Sequence, residues 1–101
     1  MILYINSTDF NKVTFALKGA RVIVKTYQID PHESHKMLTQ LEVFLKGVRC
    51  KMSEITRIVI NKGPGSYTGV RVGLAHSMAL SLALDIPVKA LSNEQFLKTI
   101  A

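Results

Sequence analysis

The sequence is organised around the segment Lys62-Gly63-Pro64-Gly65-Ser66-Tyr67-Thr68-Gly69-Val70-Arg71. This glycine-rich loop runs directly into residues 72–84, an apolar segment that contains no Asp, Glu, Lys or Arg. The glycines on either side of Pro64 allow backbone angles that a Cβ forbids, and Pro64 fixes φ between them. Ser66 is placed to cap the helix behind the loop by accepting a hydrogen bond from a free backbone N–H. The segment therefore predicts a sharp loop followed by a long helix over residues 66–84.

Two interpretations of this loop are open. A helix N-terminus presents unpaired donors and a partial positive charge, which favours an anion site. Its candidate residues would be Gly63, Gly65, Ser66, Thr68 and Gly69. The loop lacks the lysine of a Walker motif, and its glycines are spaced one residue too widely for the dinucleotide-binding fingerprint. The other interpretation is a tight strand-to-helix corner without a ligand.

Composition limits the class of protein. A chain of 101 residues is expected to form one compact domain. The single cysteine, Cys50, excludes an internal disulfide and fits a reducing compartment. We find no signal peptide, and residues 72–84 are too short to span a bilayer. The sequence therefore predicts a soluble cytoplasmic protein without a membrane partner.

The net charge of +6 predicts a basic surface, which is compatible with work near nucleic acid but specifies no fold. The densest group of cations along the chain consists of Lys46, Arg49, Lys51, Arg57 and Lys62. No aromatic residues alternate with them to stack on bases. A solvated basic rim is therefore favoured over a groove that binds RNA by itself.

Hydrophobic patterning predicts the order β-β-β-α-β-α-β-α. The predicted strands are 2–6, 13–17, 21–29, 55–61 and 87–90, and the predicted helices are 31–47, 66–84 and 94–100. For the first helix we expect Asp30 as N-cap, Pro31 as the first helical residue and Glu33 as its capping-box partner. A meander followed by two right-handed crossovers gives a five-stranded mixed sheet. This α/β order is that of a ribonuclease H-like domain, which is also the half-unit of actin-like ATPases.

The long helix carries apolar residues on more than one face. One i+4 row contains Val70, Leu74, Met78 and Leu82, and small residues form the rows between the large ones. A helix that is apolar all round must be buried on both sides. Either a second protein covers the outer side, with the small rows allowing close approach, or the other two helices of this chain do. The pattern leaves both interpretations open.

Catalytic chemistry is not predicted. A ribonuclease H-type nuclease needs several carboxylates to hold its metal ions, but the residue at the end of the first strand is Asn6. His32, Glu33 and His35 have no evident further metal ligand, and a solvated helix start is favoured. His76 lies inside the apolar helix and is expected to be a core or interface residue. We therefore predict no catalytic residue, no metal site and no cofactor.

The glycine loop together with the chain start resembles the TsaB (YeaZ) family. The run from Gly63 to Gly73 is similar to the family signature, and Met1-Ile2-Leu3-Tyr4-Ile5-Asn6-Ser7-Thr8 resembles its first strand, with Asn6 in place of the usual Asp. The resemblance covers nearly the whole chain but only the N-terminal half of a typical member. It implies that residues 1–101 are a single TsaB-like N-terminal domain of the actin-like type, with the family's C-terminal domain absent.

The resemblance also implies a function and a set of partners. Family members are non-catalytic subunits of the bacterial complex that makes N6-threonylcarbamoyladenosine in tRNA, and they pair with TsaD, which performs the transfer. TsaE is a further expected partner, homodimerisation through the same helices is an alternative, and tRNA would be contacted indirectly. The runner-up function is a nucleotide-binding ATPase-like or glycoprotease-like enzyme that uses the loop from Gly63 to Gly69. The residues predicted to bind the partner are Met37, Leu38, Leu41, Phe44, Leu45, Tyr67, Val70, Arg71, Leu74, His76, Met78 and Leu82.

Overall fold

The structure is a computed structural model that describes residues 1–100, except for the side chains of residues 31, 32 and 34. The expectation for His32 as a metal ligand therefore lies outside the described residues. The strands are β1 (Ile2–Asn6), β2 (Lys12–Lys18), β3 (Val22–Gln28), β4 (Arg57–Asn61) and β5 (Val88–Leu91). The α-helices are α1 (Met37–Gly47), α2 (Tyr67–Leu84) and α3 (Asn93–Ile100), and short 3₁₀ segments cover Pro31–Lys36 and Met52–Glu54. This confirms the predicted order of elements.

The five strands form one mixed sheet in the order β3-β2-β1-β4-β5. The first three strands are antiparallel, with Leu3 opposite Leu17, whereas β4 and β5 are parallel to β1. The two crossovers through α1 and α2 bring the apolar strands β1 and β4 together at the centre. The fold is the α/β, ribonuclease H-like arrangement that the sequence predicts.

The start of α1 differs from the prediction. The α-helix begins at Met37 rather than at residue 31, and the segment before it forms 3₁₀ turns with a non-helical Glu33 (φ −117°, ψ 25°). The Glu33 N–H donates to the Asp30 carbonyl at 2.7 Å. This bond reaches back three residues, as in a 3₁₀ turn, and not four, as in an α-helix. The Glu33 carboxylate pairs with Lys36 at 2.9 Å. The predicted start of the α-helix at residue 31 is therefore wrong, because the segment Pro31–Lys36 forms 3₁₀ turns.

The two faces of the sheet carry separate apolar clusters. On one face α1 and α2 cover the larger cluster, whose fully buried members include Leu3, Phe15 and Phe44. On the other face α3 packs alone, and Phe96 meets Tyr4 edge-on with ring centroids 5.7 Å apart. Alternation of side chains along each strand produces this division, because successive residues point to opposite faces.

Helix α2 lies against the sheet through its row of small residues. Gly73 and Ser77 are its only buried residues, and a Cβ at Gly73 would overlap the Ser7 hydroxyl and lie 3.1 Å from Ile60 Cδ1. One of the two interpretations of the sequence is that the small rows admit a partner helix. In the structure the row through Gly69, Gly73 and Ser77 instead makes its close approach to the chain's own sheet. Within the described residues, no helix is long and apolar enough to cross a membrane.

We predict that Gly73→Ala lowers the free energy of unfolding by about 1–3 kcal/mol, the usual range for overpacking a core. This loss would occur although alanine is intrinsically the better helix former by about 1 kcal/mol. Urea denaturation of four proteins measures it: wild type, Gly73→Ala, Ser7→Ala and the double variant. Removing the Ser7 hydroxyl should relieve part of the overlap, so the double variant should be more stable than the sum of the single effects. A Gly73→Ala protein as stable as wild type would contradict the packing described.

A second prediction concerns His76, whose Nδ1 lies 3.5 Å from the Met37 sulfur where α2 meets α1. Burial lowers the pKa of this imidazole from its usual 6.5. The unfolded chain therefore binds the proton more readily, and stability should fall as the pH drops through 6.5 towards the lowered value. We expect the free energy of unfolding, measured by urea titration at pH 7.5 and 5.5, to depend less on pH in His76→Gln than in wild type. The control His35→Gln, at an exposed position, should keep the wild-type dependence, and equal dependence in all three proteins would refute this role.

Candidate functional site

The glycine loop is anchored from below by Asn61, the last residue of β4. Its side chain is fully buried: Oδ1 accepts from the Gly63 N–H at 2.9 Å, and Nδ2 donates to Asn93 Oδ1 at 3.0 Å. Gly63 has φ +99°, a backbone conformation that favours glycine. The Asn93 N–H donates in turn to the Gly63 carbonyl at 2.9 Å, which joins the loop to the start of α3. Sequence reasoning missed Asn61, although an Asn two residues before a glycine at a strand end is a turn signal.

The same loop packs directly on the residues that follow β1. The Ser66 N–H donates to the Thr8 carbonyl at 2.7 Å, and the Ser7 hydroxyl donates to the Gly69 carbonyl at 2.8 Å. A Cβ at Gly65 would come within 2.5 Å of Thr8 Cβ. The loop glycines are therefore required for close approach of two backbone segments, which is the corner interpretation of the motif.

Asn6 organises the segment beneath the loop. Its Oδ1 accepts hydrogen bonds from the Thr8 N–H at 3.0 Å and from the Thr8 hydroxyl at 2.7 Å. The bond from the Thr8 N–H closes an Asx turn, in which the side chain replaces a backbone acceptor, and the bond from the hydroxyl reinforces it. The position where related folds carry a metal-binding carboxylate thus supports a local turn in this chain.

Two backbone donors at the N-terminus of α2 are already paired within the chain. Ser66 accepts from the Gly69 N–H at 3.2 Å, as predicted for an N-cap, and its own N–H is bonded to Thr8. Beside the loop lies a cleft of about 280 Å³, whose lining includes Ser66 and Thr68 together with the carboxylates of Asp9 and Asp30. Two carboxylates disfavour an anion at this place, because like charges repel at short range. Lys12 also lines the cleft and contributes one positive charge.

The residues predicted to bind a partner fall into two groups. Four of the five on α1 are core residues with exposures of 4 % or less, and they cannot contact another protein while the core is intact: Met37, Leu41, Phe44 and Leu45. Leu38 is half-buried, as are Val70, Leu74 and His76 on α2. The placement therefore narrows the predicted surface to the outer side of α2. Val43 on α1, which we did not predict, is 52 % exposed.

The outer face of α2 is a continuous stripe formed by Tyr67, Arg71, Ala75, Met78 and Leu82, all of them exposed. Tyr67, Met78 and Leu82 are 75 %, 58 % and 85 % exposed, which is unusual for large apolar side chains on one helix. The Arg71 guanidinium lies 5.3 Å from the centre of the Tyr67 ring and donates to its hydroxyl at 3.1 Å. This α2 outer face combines an apolar centre with one cation–aromatic end, a composition typical of interfaces.

Comparison of the sequence with known proteins identifies the family of this chain. A sequence model of the family described as "TsaD: tRNA N6-adenosine threonylcarbamoyltransferase" matches residues 28–98. The tRNA threonylcarbamoyladenosine biosynthesis protein TsaB of Bacillus subtilis is 32 % identical over 99 % of this chain and 43 % of its own length. The TsaB protein of Haemophilus influenzae is 26 % identical over 86 % of this chain and 36 % of its own length. The chain thus spans less than half the length of these relatives.

Comparison with solved structures leads to the same family and to a shared fold. YeaZ from Pseudomonas aeruginosa superposes with a TM-score of 0.79 at 25 % identity, over 90 % of this chain and 43 % of that one. RuvC from Thermus thermophilus superposes with a TM-score of 0.64 at 10 % identity, over 93 % of this chain and 65 % of that one, which shows the shared ribonuclease H-like fold. The chain therefore belongs to the family that the TsaD model describes, and within it to the TsaB (YeaZ) group.

Proposed function

We propose that this chain acts in tRNA threonylcarbamoyladenosine biosynthesis as a non-catalytic subunit that binds TsaD through the α2 outer face. The observation that carries the proposal is the exposure of Met78 and Leu82 on a helix without Asp, Glu, Lys or Arg between residues 72 and 84. Burying such side chains releases about 25 cal/mol for each Å² of apolar surface. A partner that covers this stripe would remove from water the largest exposed apolar residues of α2.

Two features support a role without catalysis. Asn6 stands where a metal-binding carboxylate would be expected, and its side chain is used in an Asx turn. The glycine loop is filled by the segment after β1, through the bond from Ser66 to Thr8.

The proposal treats residues 1–101 as one domain of the TsaB type. The α2 outer face is assigned to TsaD and not to TsaE or tRNA, and self-association competes with TsaD for the same stripe. A second copy of this chain and TsaD would therefore compete for the α2 outer face. The relative affinities of these two partners decide which complex is populated.

We predict that Met78→Glu and Leu82→Glu each weaken the complex with TsaD at least tenfold, because an unpaired carboxylate would be buried in an apolar contact. Light scattering coupled to size-exclusion chromatography, with a titration by calorimetry, measures the complex. These positions test the surface better than Leu74, which is half-buried and packs on the core. The matched control is Leu97→Glu, an exposed leucine on α3 across the sheet, which should bind as wild type. Undiminished binding by both α2 variants would disprove the placement of the partner surface.

The alternative function, a nucleotide-binding enzyme, is favoured only by the cleft beside the glycine loop, where Ser66 and Thr68 are accessible. We predict that calorimetry with ATP and with ADP detects no binding at millimolar nucleotide, because carboxylates line that cleft. Thr68→Ala is the suitable probe, since its side chain lines the cleft, whereas any side chain at Gly65 collides with Thr8. Binding in the micromolar range that is lost in Thr68→Ala would establish the alternative instead.

A further inference from the structure

The face of the sheet that α3 covers contains a second pocket, of about 510 Å³. Tyr4 and Val59 form its apolar floor. Its cations come from four separate elements: Lys18 of β2, Arg57 of β4, Lys89 of β5 and Lys98 of α3. Among the described residues that line it there is no Asp or Glu. The pocket is therefore a concentration of positive charge.

The strand register explains why these cations converge. Lys18 and Arg57 both pair with Ile2, from its two sides, so the three residues form one row across the sheet. In the neighbouring row Lys89 pairs with Val59, and Val59 pairs with Tyr4. With strands about 4.8 Å apart, Lys18 and Arg57 are separated by roughly 10 Å. Residues that are far apart in the sequence thus form one basic surface. Of its four cations, only Arg57 belongs to the group of closely spaced cations between residues 46 and 62.

These cations retain donors for a ligand. The Lys18 ammonium gives one hydrogen bond to the Thr99 carbonyl at 2.9 Å, and no other acceptor among the described residues uses its two remaining donors. Lys98 pairs with Glu94 at 3.3 Å, but both side chains are exposed and such pairs are weak. Arg57 and Lys89 have no hydrogen-bond acceptor or carboxylate partner among the described residues. The pocket therefore has unsatisfied positive charge that a polyanion would neutralise.

We propose that this basic pocket binds the phosphodiester backbone of RNA. Dispersed cations suit a chain of regularly spaced phosphates better than a single small anion. Tyr4, the only aromatic residue of the pocket, is 1 % exposed and cannot stack on a base, so recognition is of the backbone rather than of sequence. The choice of RNA over an acidic protein rests on the proposed function in tRNA modification. Because α2 lies on the other face of the sheet, RNA and a protein partner can be bound at the same time.

The test measures fluorescence anisotropy of a labelled tRNA transcript against the protein at several salt concentrations. The pocket variant is Arg57→Gln/Lys89→Gln, and the control Lys46→Gln/Arg49→Gln removes the same charge from exposed positions outside the pocket. We expect the pocket variant to bind at least tenfold more weakly, and the slope of log K against log salt to decrease by about 0.7–0.9 for each lost phosphate contact. The control should remain within about twofold of wild type. The single variant Lys98→Gln, at an exposed helix position, should show a smaller loss in the same direction.

Several outcomes would overturn the inference. Equal losses in the pocket and control variants would mean that binding follows net charge alone. Displacement of tRNA by polyglutamate at no higher charge concentration than by a second RNA would indicate an acidic protein ligand. Displacement by millimolar inorganic phosphate would indicate a small-anion site. The pocket variant should still bind TsaD as wild type, so failure of this inference and failure of the proposed function are distinguishable.

Discussion

The structure depends on the close contact between α2 and the residues that follow β1. Gly69 and Gly73 face Ser7 with no room for a side chain, and the buried Ser7 hydroxyl bonds to the Gly69 carbonyl. Two backbone segments can approach so closely only where one of them lacks a Cβ. The contact fixes the height of α2 above the sheet and the direction in which it leaves the loop. The glycine signature is therefore, first of all, a packing motif.

This contact determines which side chains α2 leaves exposed. Since small residues occupy the inner face, the large apolar residues lie on the flanks and on the outside. Val72, Leu74 and Leu80 on the flanks pack against the core, whereas Met78 and Leu82 are mostly exposed. A helix on one side of a sheet normally buries its large residues and exposes its small polar ones. The reversed arrangement is an argument for an external partner, independent of family resemblance.

The order of elements and the cap at Ser66 could be predicted because they depend on local signals: periodicity, turn residues and caps. The identity of the inner face of α2 could not, since a helix that is apolar all round has no periodicity to indicate which side is buried. Phe44 and Leu45 on α1, which we expected to contact a partner, are buried in the core, and the sequence cannot separate these two cases because a core face and an interface have the same composition. Asn61 and the basic pocket depend on contacts between distant parts of the chain, which only the strand register brings together.

The two faces of the sheet thus have different chemistry. The α1–α2 face holds the larger apolar cluster and presents an apolar stripe, whereas the single helix α3 leaves a basic pocket partly uncovered. Apolar association loses little in salt, but contacts to phosphates weaken steeply as salt rises. A protein contact through α2 would therefore persist under conditions that release a polyanion from the α3 face. Because the two surfaces share no residue, a substitution in one of them can be tested without altering the other.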